Sequence, residues 1–439
     1  MNKEEFQFKN KRILIYGFGI SGKACFRYLN RNNHTFIYDD NSKIISNKYK
    51  KKLLNRKKIS KHNFNYIVIS PGIDLKKCSL KNYLKKNKKK IISELDIFYL
   101  ENKNNLIITI TGTNGKSTTC KLLYEIIKNH NRDVRLVGNI GNPILSEKKI
   151  KPKTIFVIEA SSYQIDYSKY FKTDIAAILN ISPDHLERHG NIKKYVQSKF
   201  KLIKNQKKGS LSFIEKGSKY LDSEIKKNKI KSKIIKLSTL FPKLVKIKIK
   251  NNYFNNLNNL NNLKFILEIS KKLKLSRKII IKTVNSFKGL KYRQQIIFNN
   301  KKLQIINDSK STSFASSINL IQSYKNIYWL VGGKYKKGDK FILDKKYYNN
   351  IRAYIYGKKS DFFKNKFKNK IKYKIFNNIK KVLLTIIEDS KNDNLSKKII
   401  LFSPSAASFD QFRNFEERGK YFNSQIRNIQ FIKKINGRK

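Results

Sequence analysis

Short apolar runs recur along the chain, each ending in a polar loop that carries glycine or serine and leads into a stretch with apolar residues at helical spacing. The first run, Arg12-Ile-Leu-Ile-Tyr16, leads into Gly17-Phe-Gly19-Ile-Ser21-Gly22 and a helix-like segment through Leu29. Further runs are Thr35–Tyr38, ending at Asp39-Asp40, and Tyr66–Ile69, ending at Ser70-Pro71-Gly72. After a polar stretch at Glu101–Asn105 comes Leu106–Ile110, then Thr111-Gly-Thr-Asn-Gly-Lys-Ser-Thr118 and a helix with Leu122, Leu123, Ile126 and Ile127 on one face. Thr154–Ile158 and Ile175–Leu179 read as buried strands. Segment 205–250 is Lys-rich and weakly patterned, and the Asn-rich Asn251–Asn262 enters a helix running to about Leu273. Beyond Gly289-Leu290, the runs Leu303–Ile306, Ile327–Val331, Ala353–Ile355 and Ile399–Phe402 alternate with helix-like segments. Strands alternating with helices predict parallel α/β sheets.

With 439 residues the chain is too long for one ordinary core. The expected division is 1–100, 101–290 and 291–439. Composition changes this picture little. The 24 Tyr and 28 Phe compensate for a hydrophobic share of 39%. No run approaches the roughly 18 apolar residues of a membrane span. The start, Met-Asn-Lys-Glu-Glu, lacks a signal-peptide apolar region. Cys25, Cys78 and Cys120 have neither disulfide-framework nor zinc spacing. A cytoplasmic protein without membrane insertion is expected. The formal charge of +68 raises the question of nucleic acid. Its lysines are spread through the chain alongside abundant Asn, Ile, Tyr and Phe, a pattern that AT-rich codons produce, whereas a nucleic-acid surface concentrates charge in a stripe or tail. No specific nucleic-acid partner is expected, although the charge should concentrate anionic substrates.

The strongest chemical signal is Gly112-Thr113-Asn114-Gly115-Lys116-Ser117-Thr118, between a strand and a helix. Backbone N–H groups of such a loop converge on phosphate oxygens at a helix N-terminus. Lys116 can reach the β/γ-phosphates, and Ser117 or Thr118 can ligate Mg²⁺. The Gly-x-x-Gly-Lys-Ser spacing is shorter than the general Walker pattern. Gly17-x-Gly19-x-x-Gly22 with Asp39 has a Rossmann layout, which serves NAD, a nucleotide-linked sugar, or tight strand–helix packing alone. Glu159-Ala-Ser-Ser162 and Asp184-His185-Leu-Glu-Arg188-His189 follow strands, where a carboxylate and an imidazole could hold a hard cation beside a triphosphate. Asp184 could equally be a helix cap, and Lys199 by composition alone is a surface lysine. Later strand ends carry Asn307-Asp308-Ser309-Lys310-Ser-Thr312, Gly332-Gly333-Lys-Tyr-Lys336, and Ser403-Pro404 through Ser408, Asp410-Gln411-Phe412, Phe415 and Arg418-Gly419.

Taken in order, these blocks resemble the Mur ligase family from about Ile13 to Phe422. The resemblance implies three domains: a Rossmann-like N-terminal domain for a UDP-sugar, a central P-loop-type ATPase domain with a parallel sheet, and a C-terminal Rossmann-like α/β domain for the incoming amino acid. The final block, with Gly17–Gly22 and Ser70–Gly72, resembles the D-glutamate-adding branch. The implied reaction joins D-glutamate to UDP-N-acetylmuramoyl-L-alanine, in peptidoglycan precursor synthesis, through an acyl phosphate made with ATP and Mg²⁺. By the same resemblance, Lys116, Lys199, His185 and Glu159 are catalytic. Gly112 to Thr118, Asn259, Asn262, Arg293, Asp308 and Lys310 serve ATP. Ser21, Asp39 and Ser70 lie near the UDP-sugar, Asn139 and His185 face the muramoyl group, and Thr312, Lys336, Ser408 and Phe415 receive D-glutamate. Ser117, Glu159, His185 and Lys199 bear on the metal, with Lys199 carbamylated, and the enzyme is expected to act as a monomer.

The chain departs from the family pattern at Asn258-Asn259, where His-Asn is usual. It departs again at Tyr292-Arg293-Gln294-Gln295, where His-Arg-x-Glu is usual, and at Lys334, where an acidic residue is frequent. Three other readings compete. A folylpolyglutamate-type or different wall-precursor ligase lacks the Asp410-Gln411-Phe412 block or the Rossmann-like start. A basic nucleic-acid-binding ATPase would need a stacking or groove-tracking element. An NAD-dependent oxidoreductase would leave the Gly112–Thr118 loop idle.

Overall fold

The structure, a computed structural model, describes residues 8–238, 249–336 and 338–428. Its strands form three sheets. Strands β1 (Arg12–Tyr16), β2 (His34–Tyr38), β3 (Tyr66–Ile69) and β4 (Ile91–Ile92) form a parallel sheet in the order β2-β1-β3-β4. The second sheet contains β5 (Leu106–Thr111), β6 (Val134–Gly138), β7 (Ile155–Glu159), β8 (Ile175–Ile178), β9 (Leu211–Glu215) and β10 (Lys233–Leu237). It is parallel throughout, in the order β10-β9-β8-β5-β7-β6. Strands β7 and β8 are buried at every residue and β5 at all but its first, which is why they read as continuous apolar runs. The Lys-rich segment supplies β9, a helix at Lys219–Lys227 and the edge strand β10.

The third sheet holds β11 (Gln295–Asn299), β12 (Leu303–Asn307), β13 (Ile327–Gly332), β14 (Ile351–Tyr356), β15 (Lys372–Phe376) and β16 (Lys398–Phe402), ordered β11-β12-β16-β13-β14-β15. Only β11 is antiparallel, a hairpin partner of β12 with an irregularity between Ile296 and Phe298. The sheet is covered on both faces. Trp329 joins the cluster with Phe314, Phe341, Phe363 and Phe367, and Phe402 stacks on Phe422 on the other side, with centroids 4.3 Å apart.

The chain divides into two compact units: 1–248 with 261–284, and 249–260 with 285–439. The first two sheets share one unit because a single apolar cluster joins them. Helix Glu94–Glu101 places Phe98 edge-on to Phe156 of β7, with centroids 4.7 Å apart. Truncating Phe98 to Ala would cost about 3–5 kcal/mol. Asp96 completes a capping box with Ser93, and its other oxygen accepts from the amides of Lys169, Tyr170 and Phe171. A carboxylate buried with this many donors fixes the helix on the second sheet.

Candidate active site

Strands β5 and β8 are neighbours whose connections leave in opposite directions, β5 toward β6 and β8 toward β9. Such a switch point opens a crevice at the strand carboxyl ends. The loop Gly112–Gly115 lies there, tied to the exit of β8. Thr113 N donates to the Asn180 carbonyl (3.0 Å), and Asn114 N to Asn180 Oδ1 (2.8 Å). The loop ends at the N-terminus of helix Lys116–Asn129, with Gly115 at φ 84°. The left-handed φ of Gly115 favours glycine, and a Cβ there would stand 2.2 Å from Asn262 Oδ1, so the Asn262 side chain lies against this loop.

Inside the crevice, Lys116 Nζ donates to the carbonyls of Gly112 (2.9 Å) and Thr113 (2.7 Å). Lys199, on helix Ile192–Lys204, is 2% exposed and donates to the same Gly112 carbonyl and to Thr111 Oγ1. Burial, reinforced by the positive charge of Lys116, holds the Lys199 amine well below the usual lysine range, against the opposing pull of Asp184 and Glu159. Glu159, at the end of β7, accepts from Asn139 Nδ2 at 2.8 Å through Oε1. Its Oε2 and the hydroxyl of Ser117 are buried with no hydrogen-bond partner among the described residues. Two orphaned oxygens of these types suit a hard cation that completes its shell with phosphate oxygens and water. Among the described residues no three His, Cys, Asp or Glu converge as a metal cluster. The donors present therefore fit an ion bound together with a phosphate ligand better than a cage made by the protein alone.

His185 opens the turn Leu186–His189 at φ 54°, with Asp184 Oδ2 3.4 Å from Nε2 and Glu187 Oε1 3.6 Å from Nδ1. Its ring packs against Tyr163, which also stacks on His189. Around the first sheet, Asp39 Oδ2 accepts from the Phe18 amide (2.6 Å), and Ser70 Oγ donates to the Gly17 carbonyl (2.6 Å). Gly22 packs so closely on this turn that a Cβ would lie 1.9 Å from the Gly17 oxygen. Ser21 opposes, by hydrogen bonding, the burial that raises the pKa of Glu94, and Glu94 accepts from Gln164 Nε2 (2.7 Å). Gln164 in turn forms the capping box with Ser161, beside Glu159.

In the second unit, Lys310 Nζ sits 4.1 Å and the Arg293 guanidinium 5.7 Å from the centroid of Phe415. Asp308 accepts from the Gln294 amide and from Ser403 Oγ, and burial raises its pKa to about 7. The loops bearing Lys336 and Ser408 meet through a reciprocal pair of backbone bonds between Lys334 and Ala407, both 2.9 Å. Ser408 is buried, while Thr312 is half-buried ahead of helix Phe314–Ile321. Asn259 donates to the Tyr253 carbonyl (2.8 Å). Asp308 and the loops bearing Lys336 and Ser408 follow strands β12, β13 and β16, whereas Asn259 lies on helix Leu257–Lys272 and Phe415 opens helix Phe415–Asn428.

Four residues outside the expected set bind these loops or the helices that follow them: Asn180, Gln164, Arg188 and Arg418. Arg418 is 1% exposed and binds Ser309 through Nε and Nη2. Only its place in the Arg-Gly pair of the last block marked it beforehand.

A family model described as Mur ligase middle domain matches residues 110–277. A UDP-N-acetylmuramoylalanine–D-glutamate ligase of Rickettsia bellii is 32% identical over 440 residues, covering 94% of this chain and 97% of the relative. An enzyme of the same name from Francisella tularensis is 32% identical over 441 residues, covering 96% and 97%. Among solved structures, the Thermotoga maritima MurF ligase in complex with ADP gives a TM-score of 0.57 at 14% identity, covering 97% of each chain. The UDP-N-acetylmuramate-alanine ligase of Thermotoga maritima gives 0.54 at 14% identity, covering 95% of this chain and 99% of its own. With the relatives matched along nearly their whole length and the fold shared with other ligases of the group, the chain belongs to the Mur ligase family, in its UDP-N-acetylmuramoylalanine–D-glutamate ligase branch.

Proposed function

We propose that the protein joins D-glutamate to UDP-N-acetylmuramoyl-L-alanine at the expense of ATP, in the cytoplasmic assembly of peptidoglycan precursors. The observation that carries this reading is the group of half-buried Lys116 with buried Lys199, Glu159 and Ser117 around one phosphate-type loop, in a chain whose relatives bear that activity in their names.

The alanyl carboxylate attacks the γ-phosphorus, the bond to the β-phosphate oxygen breaks, and ADP leaves. The D-glutamate amine then attacks the acyl carbon, loses a proton, and phosphate departs as the amide forms. Such chemistry asks chiefly for positioning and neutralisation of charge. The Gly112–Thr118 amides and Lys116 hold the phosphates, and Asn262 borders the loop. Asn139 orients Glu159, and His185 and Asn139 face the muramoyl group. Asn259, Arg293, Asp308 and Lys310 serve the nucleotide, while Thr312, Lys336, Ser408 and Phe415 receive D-glutamate. Ser21, Asp39 and Ser70 border the UDP-sugar.

Glu159, Ser117 and His185 would hold Mg²⁺, which when bound supplies positive charge to the phosphate oxygens. Lys199 joins them as a carbamate. Burial favours the neutral form of its amine, the form that adds CO₂ with release of one proton to give an anion with two oxygens.

Phosphate release from ATP should require UDP-N-acetylmuramoyl-L-alanine together with D-glutamate. Release that follows L-glutamate or L-lysine instead would reassign the amino acid, and release with none of them would overturn the reading.

A further inference from the structure

We propose that Arg188 is a positioning residue for the nucleotide-sugar substrate, holding the Ser70–Asp74 loop of the first sheet on the Asp184–His189 turn of the second. This role rests on the ligase reading above. The guanidinium spreads over one short stretch of backbone. Nη2 donates to the carbonyls of Pro71 (3.0 Å) and Ile73, and Nη1 to that of Gly72 (3.2 Å). The Tyr167 hydroxyl lies 2.6 Å from Nη2, where it shares these two N–H groups, and itself donates to Ile73 O (2.7 Å). Nε stands 4.0 Å from Asp74 Oδ1, and the side chain is 14% exposed.

The two ends of this strut reach the two candidate sites. On one side, Ile73 N donates to the Ser70 carbonyl, and Ser70 Oγ grips the Gly17 carbonyl of the glycine-rich turn. On the other, the guanidinium lies 4.5 Å from the centroid of Tyr163, the ring that also packs on His185. Three carbonyls in a loop without strand partners need several donors fixed in a plane, and the ring beneath favours a flat cation. Arginine meets both demands, whereas lysine offers a single compact ammonium. A substrate bound along Gly17–Ser70 is thereby held in register with His185.

The test is steady-state kinetics of R188A, R188K and Y167F, with calorimetric binding of UDP-N-acetylmuramoyl-L-alanine in the absence of turnover. R188A should raise KM for the nucleotide sugar tenfold or more and weaken its binding in parallel, leaving KM for ATP and D-glutamate within twofold. R188K should recover little of the loss. Y167F keeps the ring and the fold but loses one hydroxyl, so it should shift the same constant in the same direction by a smaller factor. Equal changes in all three KM values, or wild-type binding in R188A, would overturn the role while leaving the ligase reading intact. Failure of the wild-type protein to bind the nucleotide sugar would overturn both.

Discussion

Lys116 and Lys199 donate to the same backbone oxygen, the Gly112 carbonyl, each at 2.9 Å. Two ammonium groups sharing one acceptor in a buried crevice repel each other, and the more deeply buried Lys199 gives up its proton more readily. Lys116→Ala should therefore do two things. Ligation should be abolished with the fold retained, because charge on the transferring phosphoryl group loses its nearest cation. The Lys199 amine should also become more basic, so a carbamate signal followed by ¹³C NMR with labelled bicarbonate should move to higher pH. Near-normal turnover in this variant would remove Lys116 from the phosphate site.

Lys199 itself gives the sharper contrast. Lys199→Ala should lose most activity, and a small carboxylate such as acetate should restore part of it by filling the vacated anionic position. Lys199→Arg should stay inactive, since its guanidinium cannot take up CO₂ and keeps its charge. Full activity in the arginine variant would show that a cation suffices and would end the carbamate proposal.

Much of the fold around this candidate site was legible because strands buried on both faces leave unbroken apolar runs, and the glycines of the Gly112–Gly115 loop mark the turn from β5 into the next helix. Edge strands were harder to read. In β10 and β15 the exposed Lys233, Lys236, Lys372 and Lys374 dilute the apolar signal to that of a loop. The Asn-rich stretch hid its register because identical side chains do different work. Asn256 accepts from the Asn259 amide at the helix start, Asn259 binds the Tyr253 carbonyl, and Asn262 meets Gly115. The grip of Arg188 on the Pro71–Ile73 backbone could not be read because those three acceptors are main-chain oxygens 115 to 117 positions away, and a carbonyl carries no residue type.

Amino-acid choice is expected to reside in the paired loops of the third sheet. Lys336→Ala and Ser408→Ala should each raise KM for D-glutamate at least tenfold while changing KM for ATP little. The basis is the Lys334–Ala407 bridge that brings their loops together. Parallel losses for both substrates would mean that the substitutions had disordered the loop pair.

Asp308 should make stability depend on pH in the direction opposite to that of most carboxylates. Burial raises its pKa from 3.8 to about 7, in spite of hydrogen bonds from Ser403 and Gln294 and the nearby charges of Arg293 and Arg418. Between these two values the folded chain holds a proton that the unfolded chain has released. Stability contributed here is present below about pH 4, falls as pH rises toward 7, and then levels off. Asp308→Asn stays neutral throughout and keeps an acceptor for the Gln294 amide, so it should lose this slope. The difference between variant and wild type should move in the variant's favour by on the order of 4 kcal/mol at most from pH 4 to pH 8. Scanning calorimetry of both proteins at a series of pH values reads this as a widening gap in Tm, and parallel Tm profiles would mean that Asp308 ionises in its ordinary range.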